Sequence, residues 1–336
     1  MGLQIGDIVP RRDVKFEELK GKAIAVDAFN AIYQFLSSIR QPDGTPLMDS
    51  KKRITSHLSG LFYRNINLLH LGIKLIYVFD GKYNILKNRT HELREEAKED
   101  YREKYEIAKD EKDVEAMGKY ARGFAKLDEG MIAESKELLE AMGIVVVQAP
   151  SEGEMQCAKL VKDGEAYAVG SQDYDAIVVG AKRLIQNLTL ARKRKTVSGY
   201  VDIAPEMIVY EEVLNNLGID SDQLISLAIL VGTDFNPKGV KGIGPKKALA
   251  LVKAKKYPVE IFKEVEHQVD FNWHEVFEIF KKPNVKPIKV IFPKLDEDKI
   301  KKILVDEHDF SLERVEKQLD KLKEAKKQSL QTRLFF

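Results

Sequence analysis

Apolar residues fall into two periods along this chain. At 23–26, 75–79, 144–147 and 167–170 they form short, nearly continuous runs, which predict strands buried on both faces. At 28–36, 58–71 and 224–232 the apolar positions recur at helical spacing. Strands alternating with helices predict an α/β fold, with a central, mostly parallel sheet flanked by helices. A further strand is expected at 176–179, an aromatic-rich helix with a core Trp273 at 271–281, and a helix at 312–327 that Ser311 can cap. Between 82 and 130 the aliphatic residues thin out and charge dominates. By composition that region reads as a solvated helix laced with i,i+4 ion pairs. The alternative is a mobile helical insertion over a site.

The polar residues that interrupt this pattern are mostly acids, and they recur at the same place. The first two strands end in Asp27 and Asp80, and Asp173 and Asp175 follow the run at 167–170. Glu152 and Glu154 open a helix just after 144–147, while Asp234 ends the apolar helix at 224–232. One acid at a helix start or in a turn needs no function, because the helix dipole and local hydrogen bonds favour it. Repetition at the carboxyl edge of a sheet, where open α/β folds place their sites, predicts one shared acidic site. Seven neighbouring carboxylates repel one another unless cations neutralise them.

Charge and composition narrow the cation. The six histidines and the single Cys157 show no zinc-ligand spacing, so a hard, oxygen-seeking ion is expected: two Mg²⁺, with Mn²⁺ able to substitute. Such a pair suits in-line hydrolysis of a phosphodiester. Lys87 and Arg94, seven residues or about two turns apart, would face the phosphate from one side of a helix. The net charge of +2 balances 55 basic against 53 acidic residues, so distribution has to reveal a polyanion partner. A basic cluster at Arg192, Lys193, Arg194 and Lys195 suits phosphate contacts. So does the glycine-rich turn of Gly242 and Gly244, which opens a helix bearing Lys246 and Lys247 and resembles a helix-hairpin-helix DNA clamp. Phe335 and Phe336 close an otherwise polar tail, as an anchor for a partner's pocket would. One buried cysteine suits a reducing compartment, and no run approaches the ~18 apolar residues of a membrane span. A protein of the cell interior, cytoplasmic and without a membrane partner, is expected.

Eight stretches together resemble the flap endonucleases of the structure-specific 5′ nuclease superfamily, in their archaeal form. They are AVDAFNAIYQFL from Ala25, RQPDGTPLMDS from Arg40, ITSHLSGLFYR from Ile54, VFDG from Val78, PSEGE from Pro150, SQDYD from Ser171, GTDF from Gly232 and GIGPKKA from Gly242. The resemblance implies that Asp27, Asp80, Glu152, Glu154, Asp173, Asp175 and Asp234 are metal-site acids, and that Lys87 and Arg94 contact the scissile phosphate from a helical gateway. It implies DNA contacts for Gly2, Tyr33, Arg40, Thr55 and Arg64, the last two in the segment that receives a one-nucleotide 3′ flap. It further implies K⁺ at the Gly242 turn and a sliding clamp bound through Gln331, Leu334, Phe335 and Phe336. The expected organisation is a nuclease domain over 1–320, with an arch at about 82–130 and a helix-hairpin-helix-like element at about 222–256, then a clamp-binding tail at 328–336. The implied activity is endonucleolytic removal of 5′ flaps from branched DNA, with 5′-3′ exonuclease activity, by a monomer acting in Okazaki fragment maturation and long-patch base excision repair. Three features depart from the family pattern. Lys82-Tyr83-Asn84 stand where a proline pair is usual, Met155 and Cys157 replace the small residues usual after PSEGE, and the tail lacks regular clamp-motif spacing. The rival readings are a DNA-binding scaffold without chemistry, a related 5′ exonuclease or junction nuclease, and a phosphatase with one privileged Asp nucleophile.

Overall fold

The computed structural model describes residues 3–189, 193–196 and 199–334. Its strands are β1 (Arg12–Asp13), β2 (Ala23–Asp27), β3 (Lys74–Phe79), β4 (Val145–Gln148), β5 (Ala168–Gly170), β6 (Arg183–Gln186), β7 (Lys193–Thr196), β8 (Gly199–Asp202) and β9 (Glu206–Val209). Seven of them form one sheet in the order β1-β9-β6-β5-β2-β3-β4, and β7 pairs with β8 in a separate hairpin. Strands β2 to β6 run parallel, and β9 and β1 add an antiparallel edge. From β2 the chain builds β3 and β4 outward on one side, then returns to build β5 and β6 on the other. That reversal leaves a crevice beyond the carboxyl ends of β2 and β5.

The helices in chain order are α1 (Ala28–Ser38), α2 (Ser56–His70), α3 (Asn88–Asp110), α4 (Val114–Ala121), α5 (Glu129–Ala141), α6 (Gly153–Lys162) and α7 (Asp175–Val178). They continue with α8 (Tyr210–Leu217), α9 (Ser221–Val231), α10 (Pro245–Lys255), α11 (Pro258–Glu264), α12 (Trp273–Lys281), α13 (Glu297–Lys301) and α14 (Leu312–Leu334). The continuous apolar strands are explained by two cores. Ile24, Val26, Leu75, Tyr77 and Phe79 point toward α1, α2 and α5, whereas Ala25, Ile76 and Val78 point toward α6 and α9. Alternate side chains of one strand thus meet apolar partners on opposite faces. Cys157 is fully buried in the second core, and Trp273 stacks on Phe262 with ring centroids 4.4 Å apart. No helix among the described residues is long and apolar enough to cross a membrane.

The run at 176–179 corrects an expectation. Its residues belong to the single-turn helix α7, in which the Val178 N–H bonds the Tyr174 carbonyl and the Val179 N–H that of Asp175. A short apolar run carries no usable period, and here β6 takes the sheet position beside β5. At the other end of the chain, α14 extends through Leu334, so most of the tail continues a helix.

A buried polar clasp ties the C-terminal helices to the loop before α2. His308 places Nδ1 3.2 Å from Asp49 Oδ2 and Nε2 3.3 Å from Glu134 Oε1, while Arg53 Nε reaches Asp49 Oδ2 at 2.7 Å. Burial works against the Asp49 carboxylate, but the backbone and guanidinium of Arg53, with His308, outweigh it and hold its pKa below the ordinary value. A lowered carboxyl stabilises the fold above its unfolded value of about 3.9 and loses that effect as pH falls through the lower folded value. Asp49→Ala is therefore expected to lower the melting temperature by several degrees at pH 7, with the gap closing in melts taken below about pH 4. A gap that persists in acid would assign the effect to packing instead.

Candidate active site

Strand-to-helix junctions set the acids in place. Asp27 ends β2 and caps α1, accepting from the Asn30 N–H at 3.2 Å. Asn30 in turn donates from Nδ2 to Asp173 Oδ2 at 3.0 Å, bridging the crevice from the β2 side to the loop after β5. Asp80 follows β3 and accepts from the Gly153 N–H at 2.6 Å, which brings it against the start of α6. That same start carries Glu152 as cap and Glu154 in its first turn. Asp175 opens α7, and Asp234 lies just beyond α9, where the Thr90 hydroxyl of the arch donates to its backbone carbonyl at 2.5 Å.

Electrostatics show how closely these groups gather. Burial raises Asp27 to about 8, with repulsion from Asp80 and Asp173 adding to it. Asp175 is raised to about 7, first by burial and then by Asp234 and Asp173. Burial, then Asp175, Asp173 and Asp27, lift Glu154 well above the usual carboxylate range. Glu152 and Asp173 are raised mainly by burial as well. Asp80 opens to solvent, yet its carboxyl is also raised, because the crevice walls strip away much of its water and Asp234 repels it. All seven sequence-selected acids therefore meet in one crevice.

The counter-charge comes from the arch. Lys87 pairs with Glu152 and lies 3.8 Å from Asp234 Oδ2, with its ammonium over the Phe235 ring at 5.1 Å from the centroid. Burial lowers its pKa, but the charges of Glu152, Asp234 and Asp80 outweigh burial and raise it above the usual value. Arg94 Nη2 contacts both Asp234 oxygens, at 2.8 and 2.7 Å. Lys87 and Arg94 do share a face, as their spacing predicts, but here that face closes onto acids. The outer surface of α3 carries the expected ion pairs at three- and four-residue spacing, such as Lys98 with Glu95 and Lys104 with Asp100. At its far end the arch leans on the loop before α2. A Cβ on Gly44, whose φ is +85°, would lie 2.6 Å from the Ala121 Cβ, so only glycine permits this approach.

A divalent cation suits this donor set. Glu154 Oε1 and Asp175 Oδ1 are buried without a hydrogen-bond partner, and the charged groups that act on them are mostly carboxylates, whose oxygens are hard donors. No three His, Cys, Asp or Glu side chains among the described residues converge closely enough to ligate one ion unaided. Mg²⁺ keeps several waters and needs only one or two direct carboxylates, so that spacing is compatible with it.

The remaining sequence-selected residues are dispersed around this centre. Tyr33, on α1, is 38% exposed. Arg40 spends Nε and Nη1 on the Leu36 and Gly44 carbonyls, each at 2.7 Å, and so braces the loop before α2. Thr55 is buried at the start of α2, and Arg64, also on α2, is half-buried. The glycine turn is built as expected: Gly242 has φ of +78°, Gly244 caps α10, and both lie open. Lys246 and Lys247 occupy its first turn, with Lys247 Nζ bonding the Gly242 carbonyl at 3.1 Å. The less obvious Gly239 makes the turn feasible, because a Cβ there would lie 2.4 Å from the Val231 backbone. Lys193, Arg194 and Lys195 fall on β7, and Gln331 and Leu334 on α14. Gly2, Arg192, Phe335 and Phe336 lie outside the described residues. Sequence reading passed over Asn30, Thr90 and Phe235. Only their position inside or beside the acid-bearing stretches could have drawn attention to them.

The chain is similar to known proteins over nearly its whole length. Family models match at both ends of the acid set, the XPG N-terminal domain over residues 4–101 and the XPG I-region over 143–234. Flap endonuclease 1 of Thermococcus onnurineus is 51% identical over 337 residues, covering 99% of this chain and 98% of that one. The chain belongs to the flap endonuclease 1 family. The relative from Pyrococcus furiosus is equally similar, at 51% identity with the same coverage. The solved flap endonuclease-1 of Methanococcus jannaschii superposes with a TM-score of 0.77 at 43% identity, covering 96% of this chain and 98% of that one. The catalytic core of Rad2 in complex with DNA shares the fold, with a TM-score of 0.69 at 24% identity, covering 96% of this chain and 100% of that one. As a flap endonuclease, the protein is a structure-specific 5′ nuclease that hydrolyses DNA phosphodiester bonds.

Proposed function

We propose that this flap endonuclease cuts branched DNA near the base of a 5′ flap by two-ion catalysis at the seven-acid crevice. The observation that carries this reading is the pair of buried, partnerless carboxylate oxygens on Glu154 and Asp175, within a cluster whose raised pKa values call for added positive charge. When bound, two Mg²⁺ ions supply charge that acidifies a water and neutralises the leaving oxygen of the displacement. Asp27, Asp80, Glu152, Glu154, Asp173, Asp175 and Asp234 would hold them, some directly and some through water. Asn30 fixes the Asp173 carboxylate, and the Gly153 N–H fixes that of Asp80. Lys87 and Arg94 exchange their acid partners for the scissile phosphate and orient it.

DNA flanking the cut is held by the open glycine turn at Gly242 and Gly244, with Lys246 and Lys247, and K⁺ can join the turn's carbonyls there. The basic β7–β8 hairpin, with Arg192 before it, tracks the phosphate backbone, and Thr55, Arg64 and the loop braced by Arg40 receive a 3′ flap. Tyr33 stacks near the cleaved nucleotide, and Gly2 is a further DNA contact. Gln331, Leu334, Phe335 and Phe336 dock on a sliding clamp, which places this monomeric enzyme in lagging-strand maturation and long-patch repair.

The test is cleavage of an end-labelled double-flap DNA, with nicked duplex and single strand as controls, in Mg²⁺ and in EDTA. One product cut near the flap junction, only with Mg²⁺, is expected. Cutting that survives EDTA would overturn the metal assignment. In the same assay, a variant ending at Lys327 should keep its unassisted rate and lose stimulation by the clamp. Retained stimulation would remove the tail from that role.

A further inference from the structure

The segment joining β3 to the arch carries a feature that catalysis at the acids does not use. Gly81 and Lys82 donate their N–H groups to the Ser151 and Pro150 carbonyls at 2.6 and 3.2 Å, so the strand continues to the rim of the crevice. Tyr83 and Ile85 then turn outward, 52% and 76% exposed. The Tyr83 ring meets the His91 imidazole edge to face, with centroids 4.8 Å apart at 74°, and its hydroxyl donates to Asn88 Oδ1 at 2.9 Å. The Asn84 side chain accepts from the Leu86 N–H at 3.0 Å and caps the turn, which supplies the helix start that a proline would otherwise give. The turn is therefore capped by Asn84 without the Tyr83 ring.

His91 lies four residues after Lys87 and three before Arg94, which is the spacing of one helical face. Burial, then the charges of Arg94 and Lys87, hold its imidazole below the usual pKa, so it presents a neutral ring at pH 7. An exposed aromatic pair beside two cations is the chemistry that binds single-stranded nucleic acid, with phosphates on the cations and bases stacked on the rings. Paired duplex bases offer no free face to such a step, whereas an unpaired flap does.

We propose that Tyr83 and His91 form a stacking step at the mouth of the arch, where an unpaired base of the 5′-flap strand rests beside the phosphate held by Lys87 and Arg94. The inference builds on the flap-cutting role of the gateway given above. Tyr83 is thus a substrate-binding residue that selects for an unpaired, base-bearing strand.

The experiment compares double-flap DNA carrying normal bases in the first flap nucleotides with the same DNA made abasic there. Wild type, Tyr83→Ala, Tyr83→Phe and His91→Ala are assayed for kcat and KM in Mg²⁺. On the base-bearing flap, Tyr83→Ala should lose about five- to tenfold in kcat/KM, mostly through KM, while Tyr83→Phe keeps the ring and the wild-type value. His91→Ala should fall between them. On the abasic flap, Tyr83→Ala and wild type should be equal. An equal loss on both flaps would show that the ring only shapes the loop, and no loss on either would remove it from substrate binding. Failure of wild type to cut the base-bearing flap would instead overturn the flap-cutting reading, and this inference with it.

Discussion

Asp175→Ala is expected to abolish flap cleavage, by at least about a thousandfold in single-turnover rate, while DNA affinity stays within about twofold. Asp175 sits at the first position of α7, with one oxygen buried and unpartnered and its charge opposed by Asp234, Asp173 and Glu152. Removing it withdraws a carboxylate from the centre of the cluster and touches no residue proposed to contact duplex DNA. Stability should move the other way. Because its folded pKa of about 7 lies above the unfolded value of about 3.9, the fold holds this proton more tightly than the unfolded chain does. Its stabilising effect is full below about pH 4 and is lost as pH rises through about 7. Without metal at pH 8, Asp175→Ala should therefore melt higher than wild type, and the two should converge near pH 4. Single-turnover rates, filter binding and thermal melts report the three quantities. Wild-type turnover in the variant would remove Asp175 from the metal site.

Lys87→Ala is expected to slow cleavage by about a hundred- to a thousandfold, the usual effect of deleting one group aimed at transition-state charge, with little loss of duplex affinity. In the free protein its ammonium is held by Glu152 and faces Asp234 and the Phe235 ring, poised at the acids rather than displayed to solvent. A phosphate entering the crevice offers it a more demanding partner, so binding at this position is realised chiefly during reaction. Without Lys87, Glu152 and Asp234 lose a counter-charge, so the metal-free variant should melt lower than wild type, opposite in sign to Asp175→Ala. Added Mg²⁺ should narrow that deficit. Parallel losses of rate and affinity would reduce Lys87 to a simple binding contact.

The acids were legible because their chemistry is local. Asp27 and Asp80 stand at the ends of continuous apolar runs, and Glu152 and Glu154 at a helix start, which a single pass along the chain detects. The turn before α10 was legible for the same reason, since glycines and a proline announce a helix start. Local signals failed where the run was short: 176–179 is a helical turn because the preceding loop places Tyr174 and Asp175 to accept its first N–H groups. They also failed for Asp49, Glu134, His57 and His308, whose meeting joins segments remote in sequence.

By itself, the sequence determined which acids stand at element ends around the crevice and the alternation that buries each strand on two faces. Only the tertiary structure decided that β5 returns to lie beside β2, which sets Asp173 within reach of Asn30 across 143 residues of chain. Only it decided that the arch folds back so that Arg94 meets Asp234, 140 residues away. The physical reason is range. Backbone preference and apolar period act over a few residues, whereas strand order and the pairing of buried charges follow from which distant surfaces exclude water together.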